Sequence, residues 1–385
     1  MDFTHDEAHE AARDLADQIF TDRSTNERLK EVEQAAGPEG PFDRELWSEL
    51  AKAGLVGIAV PEEHGGAGLD FLAACLVVEA AGRTAAHVPV VETLAYAVPA
   101  IDKFGTDEQR ARWLPRLASG ELVATAALAE LVGDMVLPGG TSPATTATRA
   151  AGGWELQGTK ACVPAGLMAD LVLVPATVIS SEGEPGGVGV FMVDTASKGV
   201  TRTRQDGAAL PEALLRLSGV EVGDDALLGA AAGGAAVVGF ISDHATAALC
   251  VQEAGACAAA LALTAEYAKT REQFGKPIAT FQAVGQRAAD AYVDVEAVRL
   301  TAWQAAWRLS EGLPATAELA VAKFWAADGG QRVVHAAAHI HGGVGVDRDY
   351  PLHRFFLLTE QIELTLGGAR QSLARLGAVL AAEPA

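Results

Sequence analysis

The chain is expected to fold as an α+β protein in three parts. These are an N-terminal helical domain over 1–120, a middle β domain over 121–229 and a C-terminal helical bundle over 230–385. Three observations point there. Apolar residues recur at helical spacing before residue 120. The middle region breaks into short β-rich runs separated by Gly, Pro, Ser and Asp. Beyond residue 230 the chain returns to long, alanine-rich segments with wide apolar faces.

Thr4 and Glu7 form a capping-box pattern ahead of apolar Ala8, Ala12, Leu15 and Ile19. In "DRELWSELAKAG", Leu46, Trp47, Leu50 and Ala53 share one stripe, and Gly54 is the stop. "LDFLAACLVVEAAG" predicts a buried helix, Thr106 with Gln109 starts another, and Ser119-Gly120 ends it. The runs "ELVATAALAE", "GGWELQGTKACV", "ADLVLVPATVI", "GVGVFMVD" and "RLSGVEV" predict a small antiparallel barrel or sandwich. No βαβ alternation and no GxGxxG entering a helix is present, which argues against a Rossmann dinucleotide site. Helices over 234–269, 278–311, 315–340 and 353–381 complete a four-helix bundle.

Half of the 385 residues are hydrophobic, so a sizeable core is available. Acidic residues outnumber basic ones 50 to 29, a formal net charge of -21. Such a surface repels nucleic acid and anionic membranes. Cys75, Cys162, Cys250 and Cys257 are scattered without zinc or CxxC spacing. His335 and His339 lie one helical turn apart, but no third ligand or HExxH glutamate accompanies them, so no metal site is expected. The N-terminus lacks a basic and apolar leader pattern, and no run apart from the Ala/Gly-softened helices reads as a membrane span. The expected location is cytoplasmic.

Two polar stretches stand out: "TREQFGKPIATFQ" from Thr270 and "HIHGGVG" from His339. Together with the domain order, they resemble the acyl-CoA dehydrogenase family over almost the whole chain. "FDRELWSELAKAGLVGIAVPEEHGGAG", "GTKACVPAG" and "RLSGVEV" extend the resemblance. It implies FAD as cofactor and an acyl-CoA substrate that loses hydrogens from its α and β carbons. A carboxylate takes the α proton, and the flavin takes the β hydrogen as hydride. The family divides its FAD site across a subunit interface. By resemblance, Arg271 and Gln273 reach the pyrophosphate of a neighbour's FAD, and Phe274 packs near its adenosine. Gln282, His339, Gly342 and Gly343 close the other side. Arginine's planar fork suits phosphate, and glycines let backbone amides approach it.

Elsewhere the family pattern is broken. Where the family has Thr-Glu-Pro and Gly-Ser-Asp, this chain has Ala129-Glu130-Leu131 and Val132-Gly133-Asp134. Where it has Trp and Thr against the flavin ring, Cys162 and Pro164 stand. The two family positions for the base hold Leu366 and Ala245, so no catalytic residue is assigned. The losses fall on one side of the divided site. That pattern resembles the degenerate subunit of actinobacterial heterotetrameric acyl-CoA dehydrogenases of sterol side-chain degradation. It implies a second dehydrogenase subunit as partner, a steroid acyl-CoA as substrate and an electron-transfer acceptor. Two other readings stand beside it. One is a self-sufficient homomer with a relocated base at Asp243, Glu253 or Glu363. The other is a scaffold without flavin.

Overall fold

The computed structural model describes residues 6–131, 142–180 and 183–382. The N-terminal domain contains α1 (Glu7–Arg23), α2 (Asn26–Gln34), α3 (Arg44–Lys52), α4 (Phe71–Thr84), α5 (Val98–Phe104) and α6 (Asp107–Ala118). Thr4 lies outside the described residues, and the cap that α1 uses is Asp6, whose carboxylate accepts from the His9 amide at 2.9 Å. The Thr106–Gln109 capping box on α6 forms with both of its hydrogen bonds. Gly54 follows α3 at φ 78°, a left-handed stop that favours glycine.

The middle strands are β1 (Ala124–Ala126), β2 (Ala129–Glu130), β3 (Thr146–Ala150), β4 (Gly153–Val163), β5 (Leu171–Ile179), β6 (Pro185–Asp194), β7 (Val200–Gln205), β8 (Glu212–Gly223) and β9 (Leu227–Leu228). They form one nine-stranded sheet along the path β7-β8-β4-β3-β5-β6-β9. Most pairings are antiparallel, while β1 and β3 both run parallel to β5. Strand β5, covered on both faces, reads as a continuous apolar run. Pro175 falls between the β1 register, which ends at Leu173, and the β3 register, which starts at Thr177. That gap is where a residue without an N–H is tolerated.

The last domain is built on α7 (Gly234–Thr270), followed by the hairpin strands β10 (Glu272–Gln273) and β11 (Lys276–Pro277) and by α8 (Gln282–Ser310). Helices α9 (Thr316–Phe324) and α10 (Gly330–His341) are joined through the π-helical turn Trp325–Gly329. The helix expected over 353–381 is two helices, α11 (Leu352–Leu364) and α12 (Ala369–Ala382). The break has a cause: Leu366 and Gly367 take φ 60° and 97°, which no α-helix admits. Helix α7 is long and apolar enough to cross a membrane by length and composition alone, yet 67% of its most apolar window is buried inside the protein.

Helix α4 crosses α7 almost backbone to backbone. A Cβ added at Gly82 would lie 2.1 Å from the Gln252 carbonyl oxygen. One added at Gly255 would lie 2.2 Å from that of Glu79. Only glycine fits either place.

Candidate functional site

All three domains meet around a cavity of about 530 Å³. The N-terminal domain supplies the π-helical turn Glu92–Ala97, the sheet supplies Pro164 and Glu212, and the bundle supplies Leu249, Gln361 and Thr365. Burial pushes the Glu92 carboxyl up to about 7, and the charge of Glu212 adds to the shift. Burial also raises Glu212, against hydrogen bonds with Cys162 and Gln361. Tyr96 is only 2% exposed, and its phenol is held well above its ordinary range by burial and by these two carboxyls. The sequence reading missed all three residues. The available signal was a lone glutamate in the apolar run "VPVVETLAYAVPA".

Leu366 follows the cavity-lining Thr365, is 4% exposed and packs into the main core. Ala245 is fully buried on α7. Neither side chain can carry a proton. The three alternative carboxylates do not line the cavity. Burial pushes half-buried Asp243 up to about 6, opposed by the charge of Arg375. Glu253 points into the bundle core, where its Oε1 accepts from Thr359 Oγ1 at 2.8 Å and from Cys257 Sγ at 3.0 Å. Burial holds it at about 7. Glu363 gives its backbone carbonyl to Lys323.

Among the described residues, Glu130, Cys162 and Pro164 on the sheet side are held by contacts within the protein. Glu130 is committed to buried Lys160 at 2.6 Å and to the amides of Ala144 and Thr145. The Pro164 carbonyl accepts from Thr125 Oγ1 at 2.8 Å. Cys162 sits at φ 47°, in a register irregularity of the β4–β8 pairing, and its amide donates to Gln205 Oε1. Val132, Gly133 and Asp134 lie outside the described residues.

The polar stretch after α7 is arranged differently. Arg271 ends the helix, and Phe274 and Gly275 form the hairpin tip at φ 55° and 75°. A two-residue turn with both φ positive matches the twist of its strands. Phe274 is 93% exposed and meets Phe281 edge-on with ring centres 6.1 Å apart. Arg271, Gln273 and Gln282 are exposed, and Arg271 has no ion pair among the described residues. At the end of α10, Gly342 turns at φ 61°, and nothing stands within 4 Å of a Cβ placed on Gly342 or Gly343. The Tyr267 ring stacks on His341 at 4.3 Å, and its hydroxyl donates to the His341 carbonyl at 3.3 Å. This contact ties the end of α7 to the start of the glycine turn, bringing Arg271 and Gly342 to one end of the bundle. His339 is exposed there. His335 instead faces Glu360 at 3.7 Å.

A helical domain, a sheet and a helical bundle thus close on one pocket of mixed polar and apolar lining. Comparison with known proteins identifies this architecture. The N-terminal domain model of acyl-CoA dehydrogenases matches residues 6–121, and the C-terminal domain model matches residues 233–378. Acyl-CoA dehydrogenase FadE27 of Mycobacterium tuberculosis is 40% identical, with 100% of each chain covered. The ChsE4-ChsE5 complex from Mycobacterium tuberculosis superimposes with TM-score 0.90 at 40% identity, covering 100% of both chains. A variant of the Tcur3481-Tcur3483 steroid ACAD gives TM-score 0.87 at 41% identity, covering 97% of this chain and 98% of that one. This chain belongs to the acyl-CoA dehydrogenase family, whose members act on the CH–CH bond of an acyl-CoA.

The family generally binds FAD. Among the described residues, the chemistry suits one half of that group better than the other. The hairpin and glycine turn offer an uncommitted guanidinium and open backbone, which suit a pyrophosphate. The sheet side offers an apolar Ala129, a proline without N–H and a carboxylate already neutralised.

Proposed function

We propose that the chain is a base-less, FAD-clasping subunit of a heteromeric acyl-CoA dehydrogenase, whose partner subunit supplies the base and the flavin-ring site. The reaction is α,β-dehydrogenation of an acyl-CoA, with a steroid side-chain CoA thioester as substrate and an electron-transfer protein as acceptor. One observation carries the reading: Leu366, which the resemblance sets at the base position, is buried, while Arg271 is exposed and has no ion pair among the described residues. The likeness to the ChsE4-ChsE5 complex and to a steroid ACAD supports it.

In this reading Arg271 and Gln273 hold the pyrophosphate of the partner's FAD, and Phe274 covers the adenosine. Gln282, His339, Gly342 and Gly343 close the clasp. When bound, FAD supplies the hydride acceptor. This chain moves no proton in the reaction, and its task is to orient the cofactor and exclude water. Co-expression with a base-bearing acyl-CoA dehydrogenase subunit from the same organism, followed by an absorbance spectrum, tests this. The chain alone is expected to be colourless and inactive, and the pair yellow and active. Stoichiometric flavin with turnover in the single chain would overturn the reading.

A self-sufficient homomer is the second reading, favoured by Glu212, a cavity-lining carboxyl beside Cys162. It predicts a yellow, active protein without a partner.

A further inference from the structure

We propose that helix α2 is a hinged strap across one solvent edge of the interdomain cavity, held closed by a polar seam to the start of α11 and released from it as a unit. The inference concerns this chain alone and does not rest on flavin binding or on a partner subunit.

Asn26, Lys30 and Glu33 recur at helical spacing and so share one face of α2. All three reach across to the bundle. The Arg354 guanidinium donates through Nε and Nη2 to the two Glu33 carboxylate oxygens at 2.6 and 2.8 Å, and through Nη1 to Asn26 Oδ1 at 2.7 Å. The Asn26 side-chain amide donates to the Asp349 carbonyl at 3.2 Å, and Lys30 Nζ to Asp349 Oδ1 at 2.8 Å. Lys30, Glu33, Asp349 and Arg354 also border the cavity, and Asp349 is exposed, so the seam runs along an edge where the cavity meets solvent.

The seam is the main hold that the bundle has on a weakly anchored element. Helix α2 has nine residues, of which only Leu29 and Val32 are fully buried. A helix that short owes its place to its contacts and not to its own stability. On its own domain's side, Arg28 forks Asp43 with two bonds of 2.8 Å, and Glu33 Oε1 lies 3.1 Å from His87 Nε2. Parting the seam therefore leaves α2 tethered to the N-terminal domain while Arg354 and Asp349 pass to water. Gly37, in the turn after α2, has no neighbour within 4 Å of an added Cβ, which gives the hinge room. The frame around the strap lacks that freedom, because α4 and α7 meet backbone to backbone at Gly82 and Gly255. Burial works to raise the Glu33 carboxyl, but hydrogen bonds from His87 and Arg354 outweigh it and hold the group at about 2. The seam is thus fully charged near neutrality, and removing one charge is the direct way to open it.

Hydrogen exchange of the full chain tests the strap. In the unmodified protein, amides of α2 are expected to exchange together, at least about tenfold faster than those of α4 and α7. Glu33→Gln keeps the side chain's shape and removes its charge. It is expected to speed α2 exchange by a further factor of about ten, with α4 and α7 unchanged. Glu33→Arg should do the same, and adding Arg354→Glu should restore slow exchange by reversing the pair. Access to the cavity is read with a maleimide on Leu249→Cys, placed on the cavity wall, in a Cys162→Ser background that removes the exposed native thiol. Its labelling rate is expected to rise about tenfold when Glu33→Gln is added. Exchange of α2 in step with α4 in the unmodified chain overturns the proposal, and this readout needs no variant to fold. Glu33→Gln with unchanged α2 exchange, with equal acceleration in α4, or with unchanged labelling overturns it as well.

Discussion

The Lys323 ammonium donates to the Ile362 carbonyl at 2.5 Å and to the Glu363 carbonyl at 3.1 Å, clamping the last turn of α11 from α9. The clamp satisfies two carbonyls that the helix end leaves open, immediately before the kink at Leu366. Burial draws the Lys323 ammonium down to about 8, so the clamp is held against a desolvation cost.

Lys323→Met removes the clamp and keeps most of the volume. Two buried carbonyls then lose their partner, and unfolding stability should fall by ~1–3 kcal/mol. Urea denaturation at pH 7 measures this. Unchanged stability would mean that water or another donor replaces the ammonium.

Glu253 titrates at about 7 in the folded protein against an ordinary 4.5. A raised carboxyl binds its proton more tightly folded than unfolded. Its stabilising contribution is therefore complete below pH 4.5 and is lost as pH rises towards 7. Glu253→Gln should flatten this part of the stability profile, by up to about 3 kcal/mol across the window. Urea midpoints of both proteins at pH 5 and pH 7.5 provide the check. Equal losses in the two proteins would assign the pH dependence to other groups.

Arg271→Ala in the assembled heteromer should release FAD while the melting temperature of this chain stays nearly constant. A charge-assisted contact is worth ~1.5–3 kcal/mol, so FAD affinity should drop about tenfold to a hundredfold. Equilibrium dialysis against FAD reads the change. Unaltered affinity would reduce Arg271 to a surface residue.

Leu366→Glu should leave the isolated chain inactive. The site is 4% exposed and packed in the core, so the new carboxyl would be desolvated and kept neutral. A base also contributes only where substrate and acceptor are already positioned. A steady-state assay with an artificial electron acceptor decides the matter, and turnover by this variant alone would show an intact ring pocket.

The order of helices, strands and bundle was legible because periodicity and punctuation are local properties of sequence. The Thr106–Gln109 cap and the Gly54 stop follow from the same local chemistry. The break in the last helix was not, since Leu366 adopts a left-handed conformation that its side chain does not advertise. Parallel pairing of β1 and β3 with β5 joins segments far apart in the chain, which no local pattern encodes. At the site, the polar stretch after α7 stood out by composition, but its hairpin, with Phe274 and Gly275 at positive φ, was not read from it. Glu92, Tyr96 and Glu212 could not be grouped, because they come from a helical turn and a strand that only the tertiary fold brings together.

The crossing at Gly82 and Gly255 has a mechanical consequence. At these two positions main chain meets main chain, with no side chain between α4 and α7 to act as a lubricant. The two helices behave as a welded joint, so the N-terminal domain and the bundle share one chassis.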